Sequence, residues 1–250
     1  MSDYPAVKIS GLGFTYPSQS GSLFTDLNLE IQQGERFGLF GPNGAGKTTL
    51  MSLMTGLLPF NEGIIELNGQ SIQTKDKKIN QLFGYVPQDF SFYDELTPVE
   101  NLEFFGAWSG LNTKQIKQRT AELLDVMNLT SVANKAVTKF SGGMKRRVNL
   151  AIGVIHQPKI LFLDEPTVGV DVQTRHDILN YLLQLNKNGT TLIYTSHQLS
   201  EAEELCKRVA MIDNGKIVAH DDLDKLLVDH EQDGLEGLFL NLTGKNFSQS

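Results

Sequence analysis

The sequence predicts an α/β protein with a mainly parallel sheet, an antiparallel β part near its N-terminal end and an inserted helical segment. Three observations predict it. The runs "KILFLDEP" and "TTLIYTSH" are continuously apolar over strand length, the pattern of strands covered on both faces of a parallel sheet. Between them Ile178, Tyr181, Leu182 and Leu185 recur at helical spacing and stop at Asn188-Gly189, which completes a strand–helix–strand crossover. Early in the chain "LNLEI" alternates apolar and polar residues and "YPSQSGS" punctuates, so the stretch from Val7 to Phe40 reads as antiparallel sheet.

The remaining elements follow in order. Asn68-Gly69 in "ELNGQSI" and Asn214-Gly215 in "MIDNGKIV" sit between apolar runs, where a tight hairpin demands positive φ. Thr97-Pro98-Val99-Glu100 combines an N-cap, a proline for the first helical turn and a capping-box glutamate, so a helix starts there. Thr113 opens another, with Ile116, Leu123, Leu124 and Met127 near one face. In the tail, Leu235, Leu238, Phe239 and Leu242 are spaced i, i+3, i+4 and i+7, a short amphipathic helix that can pack on the chain's own core. With no internal repeat, the expectation is one domain over residues 1–250. Residues 1–88 and 155–220 form its core, 89–154 a helical subdomain and 221–250 a tail helix.

Composition narrows the function classes. A net charge of −7 over 250 residues argues against broad attraction to nucleic acid, so no nucleic-acid partner is expected. The single cysteine, Cys206, excludes intramolecular disulfides and thiolate-rich zinc sites, and reads as a small buried hydrophobe. No apolar run reaches the roughly 18 residues of a spanning helix, and "MSDYPAVKIS" lacks the parts of a signal peptide. The expected location is cytoplasmic.

Three stretches carry chemistry. In "FGLFGPNGAGKTTL", Gly41, Gly44, Gly46, Lys47 and Thr48 match G-x-x-x-x-G-K-[ST] between an apolar strand-like run and a helical pattern of Leu50, Leu53 and Met54. Backbone N–H groups of such a loop wrap phosphates, the lysine adds a charge near the β/γ oxygens and Thr48 offers a hydroxyl to Mg2+. The loop to expect at the nucleotide is therefore Gly41, Pro42, Asn43, Gly44, Ala45, Gly46, Lys47, Thr48 and Thr49. "ILFLDEP" places Asp164 at the C-terminal end of a buried strand, where it can hold the same ion, and Glu165 beside it as the base that polarises a water. In "KFSGGMKRRVNLAIG", Ser141, Gly142 and Gly143 precede a helical pattern whose first turn can bind an anion. Met144, Val148, Ile152 and Ile155 should line that helix's buried face, and Lys145, Arg146 and Arg147 read as a solvated basic face.

With "SGGMKRR" upstream of "LFLDEPTVGVD" and His197 ending a strand downstream, the chain resembles the ATP-binding subunits of ABC transporters over nearly its whole length. The resemblance implies a P-loop NTPase core, bound ATP and Mg2+, and ATP hydrolysis. It also implies two such domains meeting head to tail, so that Ser141, Gly142 and Gly143 of one face the phosphate held by the other. Residue by residue, Gln88 in "YVPQDF" matches the glutamine that senses Mg2+ and water. His197 matches the histidine that reaches the γ-phosphate, Asp171 in "TVGVD" an aspartate of the dimer interface, and Tyr16 in "FTYP" the aromatic that stacks on adenine. On the residues alone, Tyr16 is equally an aromatic of an edge strand and Asp171 also a helix N-cap. The family's signature commonly continues with glutamine where this chain has Met144. The aromatic stretch "QDFSFYDELTPVENLEFFGAW" corresponds to the region that receives a helix of the membrane permease, or it packs internally. The tail resembles that of drug, polysaccharide and lipid exporters. The expectation is thus an ATPase on the inner face of the cell membrane, paired with a second nucleotide-binding domain and a separate permease, powering export. Import, or work in DNA repair or translation, stays open.

Overall fold

The computed structural model describes residues 4–18, 20–74, 77–196 and 198–244. Along the chain, β1 (Val7–Phe14), β2 (Phe24–Ile31) and β3 (Arg36–Phe40) precede α1 (Lys47–Met54), and β4 (Glu62–Leu67), β5 (Gln70–Ser71) and β6 (Phe83–Val86) follow it. Three helices come next, α2 (Pro98–Trp108), α3 (Thr113–Val126) and α4 (Gly142–Val154). The chain then runs through β7 (Ile160–Asp164), α5 (Val172–Lys187), β8 (Thr191–Thr195) and α6 (Leu199–Leu205) to β9 (Arg208–Asp213) and β10 (Lys216–Asp222), ending in α7 (Leu223–Asp229) and α8 (Leu235–Thr243).

The strands form two sheets. One is antiparallel, in the order β2-β1-β4-β5; the other runs β10-β9-β3-β8-β7-β6 and is parallel except for the β9–β10 hairpin. The sequence reading carried the antiparallel part through Phe40, and here the structure corrects it. β3 lies in the parallel sheet between β8 and β9. Its "RFGLF" is buried from Phe37 to Phe40 without alternation, the mark of a strand covered on both faces. β7 shows the same two-sided cover. Ile160 and Phe162 join the core beneath the antiparallel sheet, and Leu161 and Leu163 the core beneath the helices, since successive side chains of a strand point to opposite faces.

Local signals hold where they were expected. Asn68 and Gly69, at φ 49° and 77°, turn β4 into β5, and Asn214 and Gly215, at 48° and 73°, turn β9 into β10. Thr97 caps α2 by a closed capping box with Glu100, and α3 starts at Thr113, with a second capping box from Asn112 and Gln115 that the sequence reading did not name. The tail differs from the expected single helix. β10 continues to Asp222 and leads directly into α7, and α8 buries Leu235, Leu238 and Phe239 in the core shared with α5 and α6. Among the described residues no helix is long and apolar enough to cross a membrane.

Candidate functional site

The loop after β3 closes on α1 through Gly46, whose φ of 108° suits glycine alone, and a Cβ there would come within 2.8 Å of the Phe24 ring. Gly46 puts no side chain over the first turn of α1, so no side-chain cap competes for its backbone N–H groups. Lys47 begins the helix with its side chain folded inward. It is 6% exposed, and its Nζ donates to the carbonyls of Gly41 at 2.7 Å and Pro42 at 3.0 Å. Burial holds its pKa below the ordinary lysine value, while the charges of Glu165 and Asp164 pull it back up. Asn43, Gly44 and Thr48 face solvent. Tyr16 stands beyond the end of β1, itself an interior strand of its sheet, so the edge-strand reading does not hold. Its hydroxyl lies 2.8 Å from Thr49 Oγ1, which fixes the ring next to the phosphate loop.

The second half of the site is a strand end. Asp164, 1% exposed, is the last residue of β7 and pairs in register with Thr195 of β8. Thr195 Oγ1 donates to Asp164 Oδ1 at 2.6 Å. The Glu165 N–H donates back to Thr195, reaching its carbonyl and its hydroxyl at 3.2 Å each. Glu165 is buried with φ 52°, a left-handed conformation unusual outside glycine that turns the chain out of the strand direction. Adjacent carboxylates are thereby sent different ways. Thr195 was absent from the sequence reading, although a polar residue closing the apolar run "TLIY" was its visible signal.

The donors present fit a phosphate and a hard divalent cation. Asp164 Oδ2 is buried and has no hydrogen-bond partner among the described residues. A carboxylate of this kind with the Thr48 hydroxyl is the oxygen set that Mg2+ takes, and a buried lysine beside uncapped N–H groups suits phosphate.

The helix start at α4 is built otherwise. Ser141 is its N-cap and accepts the Met144 N–H at 3.3 Å; Ser141 and Gly142 are exposed. Gly143 packs on α5, where a Cβ would stand 3.1 Å from Thr174 Oγ1. Asp171 caps α5, accepting from the Thr174 N–H at 2.9 Å and its hydroxyl at 2.8 Å. Met144 is half-buried against the helical core, so it fills apolar space where a glutamine would present an amide.

The basic face expected of residues 145–147 is a correction. Lys145 pairs with Asp94 at 3.3 Å and Arg147 with Asp177 at 3.0 Å, but Arg146 is buried. Consecutive helix residues point about 100° apart, so three charges in a row cannot share one face. Arg146 instead donates to the carbonyl of Gln88 at 2.8 Å, while the Gln88 residue is exposed. His197 lies outside the described residues. The structure thus brings Lys47 within electrostatic reach of Asp164 and Glu165, and places Ser141–Gly143 beside Asp171 and Thr174.

Residues 24–168 match the ABC transporter family model. The chain is 45% identical over 193 residues to the linearmycin resistance ATP-binding protein of Bacillus subtilis, an alignment covering 77% of this chain and 62% of that one. It is 40% identical over 194 residues to the Nod factor export ATP-binding protein I of Cupriavidus metallidurans, covering 78% and 64%. This chain therefore spans less than two-thirds of the length of these relatives. Among solved structures it is similar to an ATP binding subunit of an ABC transporter, with TM-score 0.88, 27% identity and coverage of 95% of this chain and 99% of that one. It is also similar to an ATP-binding cassette in a dimeric post-hydrolysis state bound to ADP and Pi, with TM-score 0.79, 26% identity and coverage of 87% and 98%. The chain belongs to the ABC transporter family, and it has the fold of that family's ATP-binding subunits.

Proposed function

We propose that this chain binds and hydrolyses ATP as the cytoplasmic nucleotide-binding subunit of a membrane exporter, working as one of a head-to-tail pair. The observation that carries the reading is the convergence of the buried Lys47 with Asp164 and Glu165 at a parallel strand end. In this reading, backbone N–H groups of residues 41–49 and the Lys47 ammonium hold the phosphates, and Tyr16 stacks on the base. Thr48, Asp164 and Gln88 would hold Mg2+, which when bound neutralises phosphate charge. Glu165 takes the proton of the attacking water, and His197 contacts the terminal phosphate. Ser141, Gly142 and Gly143 of the partner subunit close the site at the far side of that phosphate, with Asp171 on the same interface. Such donors favour closure only while the terminal phosphate is present, so hydrolysis opens the pair.

Two further observations support the transport role. The names of relatives speak of export. The helical segment also exposes aromatics, Trp108 at 81%, Phe90, and Tyr93 with its ring edge-on to Phe104, apolar side chains of the kind that suit a helix of a permease.

Glu165→Gln tests the catalytic assignment. ATP binding should persist while turnover falls by about 10²- to 10⁴-fold, the usual worth of a positioned base. The variant should also run as a dimer in gel filtration with Mg-ATP. Turnover at the wild-type rate would remove Glu165 from the base role.

A further inference from the structure

One guanidinium lies where three segments of the proposed site meet. Arg146, one turn into α4, is 4% exposed. Its Nη1 donates to the carbonyls of Gln88 at 2.8 Å and Pro87 at 3.4 Å, and its Nη2 to the carbonyl of Val168 at 3.4 Å. Its Cζ sits 4.8 Å over the Phe90 ring. The first two carbonyls belong to the loop after β6. The third lies three residues past Glu165, and the arginine itself rides on the helix that starts at Ser141.

Burying a guanidinium is costly without full compensation, and carbonyls with one ring face are a weaker set than a bidentate carboxylate. Burial accordingly lowers the Arg146 pKa, opposed by the charges of Glu165 and Asp89. A side chain that only filled space here could be apolar. What an arginine adds is a rigid planar fork able to hold two backbone segments at once, which a lysine's single point charge cannot do.

We propose that Arg146 is a positioning residue for ATP hydrolysis. It locks the Gln88 loop and the turn after Glu165 to the helix that begins at Ser141, so that the metal-side glutamine, the base and the helix start keep one mutual geometry. This deepens the ATPase reading above and rests on it. Arg146 touches no reacting atom. Its effect falls on turnover and on the ion's response, not on the phosphate loop's grip on ATP.

The test is steady-state hydrolysis of Mg-ATP by Arg146→Lys, with the Mg2+ concentration varied. We expect kcat to drop by about 10- to 100-fold, the scale of a loop misplaced by around 1 Å, with KM for ATP changed by less than about 3-fold and the half-saturating Mg2+ raised several-fold. Val148→Ala provides the control for a merely structural role. It opens a cavity in the same helix without removing a hydrogen bond to either loop, so its melting temperature should fall while kcat stays within about 2-fold. An Arg146→Lys enzyme with kcat and Mg2+ dependence both within about 2-fold of wild type would overturn the proposal. Should that variant not fold, Phe90→Leu carries the test, since it strips the ring from beneath the guanidinium at a solvent-facing position. A kcat reduced by about 3-fold supports the clamp, and an unchanged kcat overturns it. Failure of the ATPase reading shows separately, as a wild-type chain that hydrolyses no Mg-ATP. In that event amide exchange decides the clamp alone. Faster exchange across residues 86–90 and 166–169 of Arg146→Lys, with α1 unchanged, supports it, and unchanged exchange sinks it.

Discussion

Lys47 and Ser141 stand at the starts of two helices, α1 and α4, and the two are built on opposite plans. At α1 the N-cap is a glycine in a left-handed conformation, the cation beside it is buried, and two carboxylates of a neighbouring strand end lie within electrostatic reach. At α4 a serine satisfies its own helix through the Met144 N–H, faces solvent with Gly142, and is backed by an arginine that points the other way, into the protein. The difference shows which half can act alone. The first carries its own charge, its own buried carboxylates and its own enclosure; the second offers donors at the surface and nothing of its own to hold. On the reading proposed here, one is a binding site and the other is the lid of somebody else's.

The largest effect should come from separating the two halves between copies. Lys47→Ala and Ser141→Arg should each abolish most hydrolysis, by about 10²-fold or more, because each removes or blocks charge stabilisation of the transferred phosphoryl group. In a mixed dimer one site carries both defects and the other carries neither. An equal mixture should then regain about a quarter of wild-type activity, half the dimers being mixed with one of two sites intact in a symmetric pair. A mixture as inactive as its components would break the comparison, since it would place Ser141 in the service of its own chain.

A smaller effect separates the halves by stability. Thr195→Val takes from Asp164 its hydrogen bond of 2.6 Å and from the Glu165 N–H one of its acceptors, with both carboxylates buried. Leaving such groups under-satisfied costs about 1–3 kcal/mol, or roughly 2–12 °C of melting temperature in a chain of this size. Ser141→Ala, at a solvent-facing cap with a long 3.3 Å bond, should cost about 1 kcal/mol or less. Calorimetry of the two variants checks the order; a larger loss in Ser141→Ala would mean that α4's start is the structural half.

Much of this organisation was legible in the residues because its signals are local. The phosphate loop, the capping box at Thr97 and the two Asn-Gly hairpins each depend on side chains a few positions apart. What escaped depends on register or direction. Thr195 matters because β7 and β8 align it with Asp164, and that alignment is a property of the sheet. β3 was assigned to the wrong sheet since a four-residue apolar run, Phe37 to Phe40, does not name its neighbours. Arg146 was hidden inside "KRR", where helical geometry turns the middle charge inward while its neighbours find Asp94 and Asp177 outside.

The smallest effect concerns Asp171, whose carboxylate links the two halves of the helix-start region by capping α5 at the residue against which Gly143 packs. Hydrogen bonds from the backbone and hydroxyl of Thr174 hold its pKa below the ordinary value. A lowered folded pKa means that the unfolded chain binds the proton first. The stability this group contributes is therefore complete above the ordinary aspartate range and disappears as pH falls through the folded value. Asp171→Asn keeps an oxygen that caps the helix but does not titrate. The drop in melting temperature between about pH 7 and about pH 3 should accordingly be slightly smaller in the variant, because other carboxylates titrate alike in both and cancel. Water screens this exposed group, so the difference stays small. Lys47 does not contribute in that window: burial lowers its folded pKa, so its proton linkage acts as pH rises toward the ordinary lysine range, where stability would increase. An acid titration thus reads the α4 side while leaving the α1 side's lysine silent, and identical pH slopes for the two proteins would mean that Asp171 does not hold this cap in solution.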